Sequence, residues 1–168
     1  SGPEGDRILL GIANYLLAIN PDDGTFIEGF GNQGHIDLKK GLGRNIDQLR
    51  YITRSPGIIY QDLIIMGSSV SESLPAAPGH IRAFNVKTGE QVWRFNTIPQ
   101  PGEYGYETWP KEAYKEFGGA NTWAGMAVDE KRGLVYCPTG SATFDYYGGD
   151  RLGDNLFANS LICLNAKT

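Results

Sequence analysis

The sequence predicts an all-β chain, organised as two to three four-stranded blades of a partial β-propeller, and three observations predict it. The apolar runs are short, rich in β-branched and aromatic residues, and bounded by Gly, Pro, Asn or Asp, which is how half-buried strands and their turns read. The composition of 23 Gly, 9 Pro, 3 Trp, 9 Tyr and 7 Phe among 168 residues favours many strands with turns over helices. A short segment recurs along the chain at wide intervals, as stacked repeat units require.

The strand-like runs, in order, are Ile8 to Ile12, Tyr15 to Ile19, Gly57 to Tyr60, Leu63 to Met66, His80 to Val86, Glu90 to Phe95, Ala124 to Val128, Leu134 to Cys137 and Ser160 to Leu164. Gln61-Asp62 separates one pair as a tight hairpin demands, and Lys87-Thr88-Gly89 another. Helical periodicity is weak and confined to Pro110 to Phe117, where Trp109-Pro110 can start a turn or two. Three long connections, Gly29 to Arg50, Thr97 to Asn121 and Ala142 to Asn159, are where a site would be expected, because loops of that length inside a compact domain usually serve one.

The repeat is fullest at Ala83-Phe84-Asn85-Val86-Lys87-Thr88-Gly89-Glu90-Gln91-Val92-Trp93. Ala18-Ile19-Asn20-Pro21-Asp22-Asp23-Gly24 is a second copy, with Glu28 where Trp would stand, and Cys163-Leu164-Asn165-Ala166-Lys167-Thr168 begins a third. The intervals suit four-stranded blades with enlarged loops. Glycine supplies a positive-φ position in the turn, and the Trp offers a flat apolar face to the next blade. Two or three blades leave open edges, so the native protein is expected to extend beyond both ends. Ser1-Gly2-Pro3 has the look of a cloning remnant.

A formal net charge of −4, with no basic stripe, argues against a nucleic-acid partner. No run of 18 apolar residues is present to span a membrane, and no basic segment followed by an apolar one opens the sequence, so any signal peptide is expected to have been removed or to lie outside it. Cys137 and Cys163 lack zinc spacing and read as two buried free thiols. His35 and His80 form no recognisable triad and read as surface or loop histidines. Gly148-Gly149 lacks the strand and helix context of a nucleotide-binding loop.

The full repeat resembles the tryptophan-docking motif of the eight-bladed quinoprotein dehydrogenases, which depend on pyrroloquinoline quinone (PQQ). Two further stretches extend the resemblance over nearly the whole chain. One is Gly118-Gly119-Ala120-Asn121-Thr122-Trp123 followed by Gly133 to Ser141; the other is Thr53-Arg54-Ser55-Pro56-Gly57 followed by Gly67-Ser68-Ser69-Val70-Ser71-Glu72. Phe144 to Arg151 and Asp154 to Ser160 resemble the glucose-dehydrogenase branch.

The resemblance implies roles residue by residue. Trp123 would be the floor on which the flat PQQ ring stacks, or else a core residue between blades. Thr53 and Ser69 would contact the cofactor's polar edge, or else cap turns. Glu72 would bind Ca²⁺ as a hard oxygen donor, or else be a solvated loop acid. Ser141 stands where methanol-type members carry an Asn ligand, and Thr143 is a further candidate contact. The activity implied is oxidation of a sugar or alcohol in the periplasm or another extracytoplasmic space, with electrons passing to a quinone or cytochrome. Ca²⁺ would polarise a quinone carbonyl while a carboxylate base takes the hydroxyl proton. In the family that base lies beyond the position of Thr168, so no catalytic residue is assigned in this chain, and the chain alone is expected to be inactive. The competing expectations are a non-catalytic propeller scaffold that binds protein partners and a degenerate quinoprotein without calcium.

Overall fold

The computed structural model describes residues 5–168, so the reading of Ser1-Gly2-Pro3 lies outside the described residues. Among the described residues, three antiparallel sheets of three or four strands follow one another along the chain, and a two-stranded ribbon accompanies the second. The first contains β1 (Ile8–Ile12), β2 (Tyr15–Ile19) and β3 (His35–Asp37), in that order. Next come β4 (Tyr51–Ile52), β5 (Ile58–Tyr60), β6 (Leu63–Met66), β7 (Ser69–Val70), β8 (Ile81–Asn85) and β9 (Gln91–Phe95). Of these, β5-β6-β8-β9 form one four-stranded sheet, a complete blade. The third sheet contains β10 (Ala127–Asp129), β11 (Leu134–Pro138) and β12 (Leu161–Asn165). Within the expected helical stretch lies only a four-residue helix α1 (Ala113–Glu116), and a turn of 3-10 helix at Tyr106–Thr108 precedes that stretch.

The β5–β6 hairpin has a second, separate part. Beyond a break at 53–57, its two arms pair again as β4 and β7, with Tyr51 opposite Val70 and Ile52 opposite Ser69. This far end carries Arg50, Arg54, Ser69 and Glu72, so the hairpin that builds the central blade also delivers side chains to the site.

All three copies of the repeat make the same local turn. The side-chain oxygens of Asn20, Asn85 and Asn165 accept the N–H two residues on, from Asp22 at 3.0 Å, Lys87 at 2.8 Å and Lys167 at 2.8 Å. An Asn that bonds its own backbone in this way fixes the turn locally, whatever surrounds it.

Two apolar clusters lie between consecutive sheets. One joins Leu16, Ala18, Phe30 and Leu38 to Ile64, Met66 and Phe84 of the central blade. The other joins Ile65, Ile81 and Ala83 to Val135, Cys137, Ile162 and Ala166. Trp93, from the full repeat, packs on the second cluster, and its indole N–H donates to the Ala166 carbonyl at 3.1 Å, within the third copy of the repeat.

Two expectations need correction. His80 is not a surface histidine: it is 3% exposed, and its Nδ1 accepts the Thr97 N–H at 3.2 Å. Burial, with Arg94, Arg82 and Arg44 adding repulsion, depresses its pKa to about 3, so the ring is neutral. Cys137 is buried as expected, and burial pushes its thiol up to about 12, but Cys163 is exposed on β12. Strand alternation explains the cysteine pair: Cys137 sits opposite Ile162 and Cys163 opposite Tyr136, so their side chains leave opposite faces of the sheet.

A candidate cofactor cavity

The site is built where the far end of the central hairpin meets the loop that enters the third sheet. Close backbone approach holds the two together. A β-carbon on Gly67 would sit 2.1 Å from the Thr122 carbonyl oxygen, so only glycine lets Ser68 donate its N–H to that oxygen at 2.9 Å. Asn121 answers by donating its amide to the Ser68 carbonyl at 2.7 Å. Ser55 donates its hydroxyl to the Trp123 carbonyl at 2.6 Å, and Gly140 donates its N–H to the Asn121 carbonyl at 3.0 Å. Trp123 is thereby fixed through its backbone while the residue stays 58% exposed.

Trp123 borders a cavity of about 320 Å³, lined also by Arg50, Arg54, Ser69, Glu72, Ser141 and Asp145. The charges in it are separated. No ion pair joins the two guanidinium groups to the two carboxylates among the described residues. Arg50 instead donates to the Val70 carbonyl at 2.7 Å and reaches the Ser69 hydroxyl at 3.5 Å. Asp145 donates its backbone N–H to the Glu72 carbonyl at 3.2 Å, which brings the two acids to one wall. Burial, reinforced by Glu72, raises the Asp145 carboxyl above its ordinary value, and Arg151 opposes the shift. Beside this wall, Phe144, Tyr146 and Tyr147 with Glu72 and Ser73 border a second depression of about 350 Å³.

Of the residues singled out from sequence, Ser69, Glu72, Trp123 and Ser141 share this cavity. Two do not line it. Thr53 turns its hydroxyl toward the first sheet, donating to the Ala13 carbonyl at 3.2 Å. Thr143 is fully buried, and its hydroxyl accepts the Gly118 N–H at 3.0 Å. Ser141 accepts from the Asn159 amide at 3.3 Å. Arg50, Arg54, Asn121 and Asp145 line the cavity without having been picked out as site residues. Asn121, Arg54 and Asp145 lie within the stretches that carry the resemblance, but nothing in their spacing sets them apart from loop residues.

A flat quinone bearing several carboxylates needs an aromatic floor, cationic and hydroxyl donors at its edge, and a cation. The cavity supplies the first two with Trp123, Arg54 and Ser69. For the cation, Glu72 and Asp145 offer hard oxygen atoms of the kind Ca²⁺ takes. No group of three or more His, Cys, Asp or Glu side chains gathers among the described residues, so further ligands would have to come from hydroxyl, carbonyl or cofactor oxygens. The donor set fits the cofactor with its cation.

Comparison with known proteins identifies the family and the fold. The family model described as PQQ: glucose/ethanol/alcohol dehydrogenase, beta-propeller domain, matches residues 2–168. The quinoprotein glucose dehydrogenase of Escherichia coli strain K12 is 35% identical over 167 residues, covering 96% of this chain and 20% of that protein. The quinate/shikimate dehydrogenase (quinone) of Acinetobacter baylyi is 34% identical over 156 residues, covering 91% and 19%. The chain thus spans about a fifth of the length of these relatives. Among solved structures, the quinohemoprotein alcohol dehydrogenase of Pseudomonas putida HK5 superposes with a TM-score of 0.75 at 24% identity, covering 96% of this chain and 24% of that one. The blades, the docking repeat and the family match lead to one conclusion: the chain belongs to the PQQ-dependent glucose/ethanol/alcohol dehydrogenase β-propeller family.

Proposed function

We propose that this chain forms one wall of the cofactor site of a PQQ- and calcium-dependent dehydrogenase that oxidises a sugar or alcohol. The observation that carries this reading is the cavity around Trp123, where two guanidinium groups and two carboxylates face one ligand space without pairing to each other. Unpaired opposite charges in one cleft suit a ligand that brings both an anion and a cation. When bound, the quinone would supply a two-electron acceptor and Ca²⁺ a Lewis acid.

The chain's own part is to bind and orient. Trp123 presents a rigid aromatic face at little conformational cost. Ser69 offers a hydroxyl to the cofactor edge, while Glu72 and Asp145 furnish oxygen ligands. Ser141, held by Asn159, offers a hydroxyl where methanol-type members use an amide. The ledge of Phe144, Tyr146 and Tyr147 beside Glu72 supports a substrate with apolar ring faces, such as a sugar. A periplasmic or other extracytoplasmic location, and a quinone or cytochrome as electron acceptor, belong to the same proposal.

The test is dye-linked oxidation of glucose, glycerol and quinate by the full-length protein, with PQQ present and Ca²⁺ added or chelated. Calcium-dependent turnover that falls at least about 100-fold in Glu72→Gln is expected, since a charged ligand to the cation is lost. No PQQ binding and no turnover with any of these substrates would replace this reading with that of a non-catalytic propeller scaffold.

A further inference from the structure

We propose that Arg54 is the anion anchor of the cavity, receiving a carboxylate of the flat quinone seated on Trp123; this rests on the cofactor reading above. Neighbouring residues of this segment have different partners. Thr53 uses both its backbone N–H, at 2.8 Å, and its hydroxyl, at 3.2 Å, on the single carbonyl of Ala13 in the first sheet. Arg54, the next residue, lines the cavity. The following residue, Ser55, ties this segment to the Trp123 carbonyl at 2.6 Å. The base of the Arg54 side chain is therefore anchored beside the aromatic floor.

The electrostatics single out the same residue. Arg50 is engaged with Val70 and Ser69. Arg54 has neither a hydrogen bond nor an ion pair among the described residues, although Glu72 and Asp145 line the same cavity. An anionic ligand entering a space with two carboxylates on one wall needs a cation on another. A guanidinium is suited to this, because its planar fork matches a carboxylate with two parallel hydrogen bonds and it is always charged. The hydroxyl of Thr53 cannot take that place while it is committed to Ala13.

The assignment is tested on the full-length apoprotein with Ca²⁺, titrated with PQQ and with its uncharged trimethyl ester while tryptophan fluorescence is followed. Wild type is expected to prefer the free acid. Arg54→Gln should weaken acid binding about 10- to 100-fold and leave ester binding nearly unchanged, as loss of one charge-assisted contact predicts. Arg54→Lys should recover part of the loss, and Thr53→Val should stay within about threefold of wild type. Circular dichroism confirms the fold of each variant; if Arg54→Gln does not fold, the acid-to-ester preference of Arg54→Lys decides. Equal acid affinity in Arg54→Gln and wild type, or an equal loss for acid and ester, overturns the assignment. Wild type that binds neither compound overturns the cofactor reading itself, and the Arg54 assignment with it.

Discussion

The two seams of the central blade are closed in different ways. Toward the third sheet, the strand faces meet through apolar side chains and a hydrogen bond from the Trp93 indole, while the polar contacts with 119–123 lie beyond the strands, beside the cavity. Toward the first sheet, apolar packing is joined by arginines that reach into backbone carbonyls. Arg82, 1% exposed, donates to Lys40 at 2.7 Å, Leu38 at 2.6 Å and the Tyr51 hydroxyl at 2.7 Å, and Arg94 donates to Gly41 at 2.8 Å. Arg82 also lies over the Tyr51 and Phe84 rings, at 5.5 and 5.2 Å from their centroids. The first seam holds a long irregular loop, 38–50, whose carbonyls have no strand partner. The Leu38 carbonyl and the Tyr51 hydroxyl are buried there and need donors, and a guanidinium can supply several at once. The second seam joins regular strands that satisfy their own backbone, so apolar packing is enough.

That contrast puts the largest effect at the first seam. Arg82→Ala should cost about 3–5 kcal/mol, because it opens a void and strands carbonyls and a hydroxyl that the guanidinium had satisfied. Trp93→Ala, at the half-buried indole of the second seam, should cost about 2–3 kcal/mol. Urea unfolding of the full-length protein measures both, and a larger loss for Trp93 would break the contrast.

Acid should act at the end of the β8–β9 pair, where His80 accepts the Thr97 N–H. His80 is held neutral, with its pKa moved from 6.5 to about 3. Between those values the unfolded chain binds a proton that the native chain refuses, so stability falls as the pH is lowered through this window. From pH 7 to pH 5 the loss attributable to His80 should be about 2 kcal/mol. Comparing wild type with His80→Gln across that range isolates it, and parallel curves would remove His80 as the cause.

The smallest expected effect separates two copies of the same turn. Gly24 and Gly89 have nearly the same φ, +75° and +77°, but Gly24 has open space where a β-carbon would go, while Gly89 meets Ile36 at 2.9 Å and the Gly31 nitrogen at 3.0 Å. Gly24→Ala should cost about 1 kcal/mol from the backbone conformation alone, and Gly89→Ala about 1–2 kcal/mol more from the crowded seam. Thermal unfolding of the two variants tests this, and equal shifts would mean that the seam adds nothing.

Much of this was legible in the sequence. Runs with strong β character and clear turn residues, such as Leu63–Met66 and Tyr15–Ile19, form strands at the bounds expected. Pairings such as Tyr51–Ile52 with Ser69–Val70 were not foreseen, because two-residue strands carry no periodicity and exist only through their partners. Trp123 and Glu72 stood out through their motif contexts. Arg54 and Asp145 did not, because a charged loop residue looks the same whether or not it faces a cavity.

What the sequence by itself determined is the local chemistry: short strands, Asn-capped turns and the order of the blades. These depend on residues near one another in the chain, and the same Asn makes the same turn at Asn20, Asn85 and Asn165. Only the tertiary structure decided which side chains share a space. It turned Thr53 toward Ala13 and left Arg54 at the cavity, buried His80 against Thr97, and set Asp145 beside Glu72. Such neighbours come together across sheets, where contacts form between distant segments and no spacing rule records them.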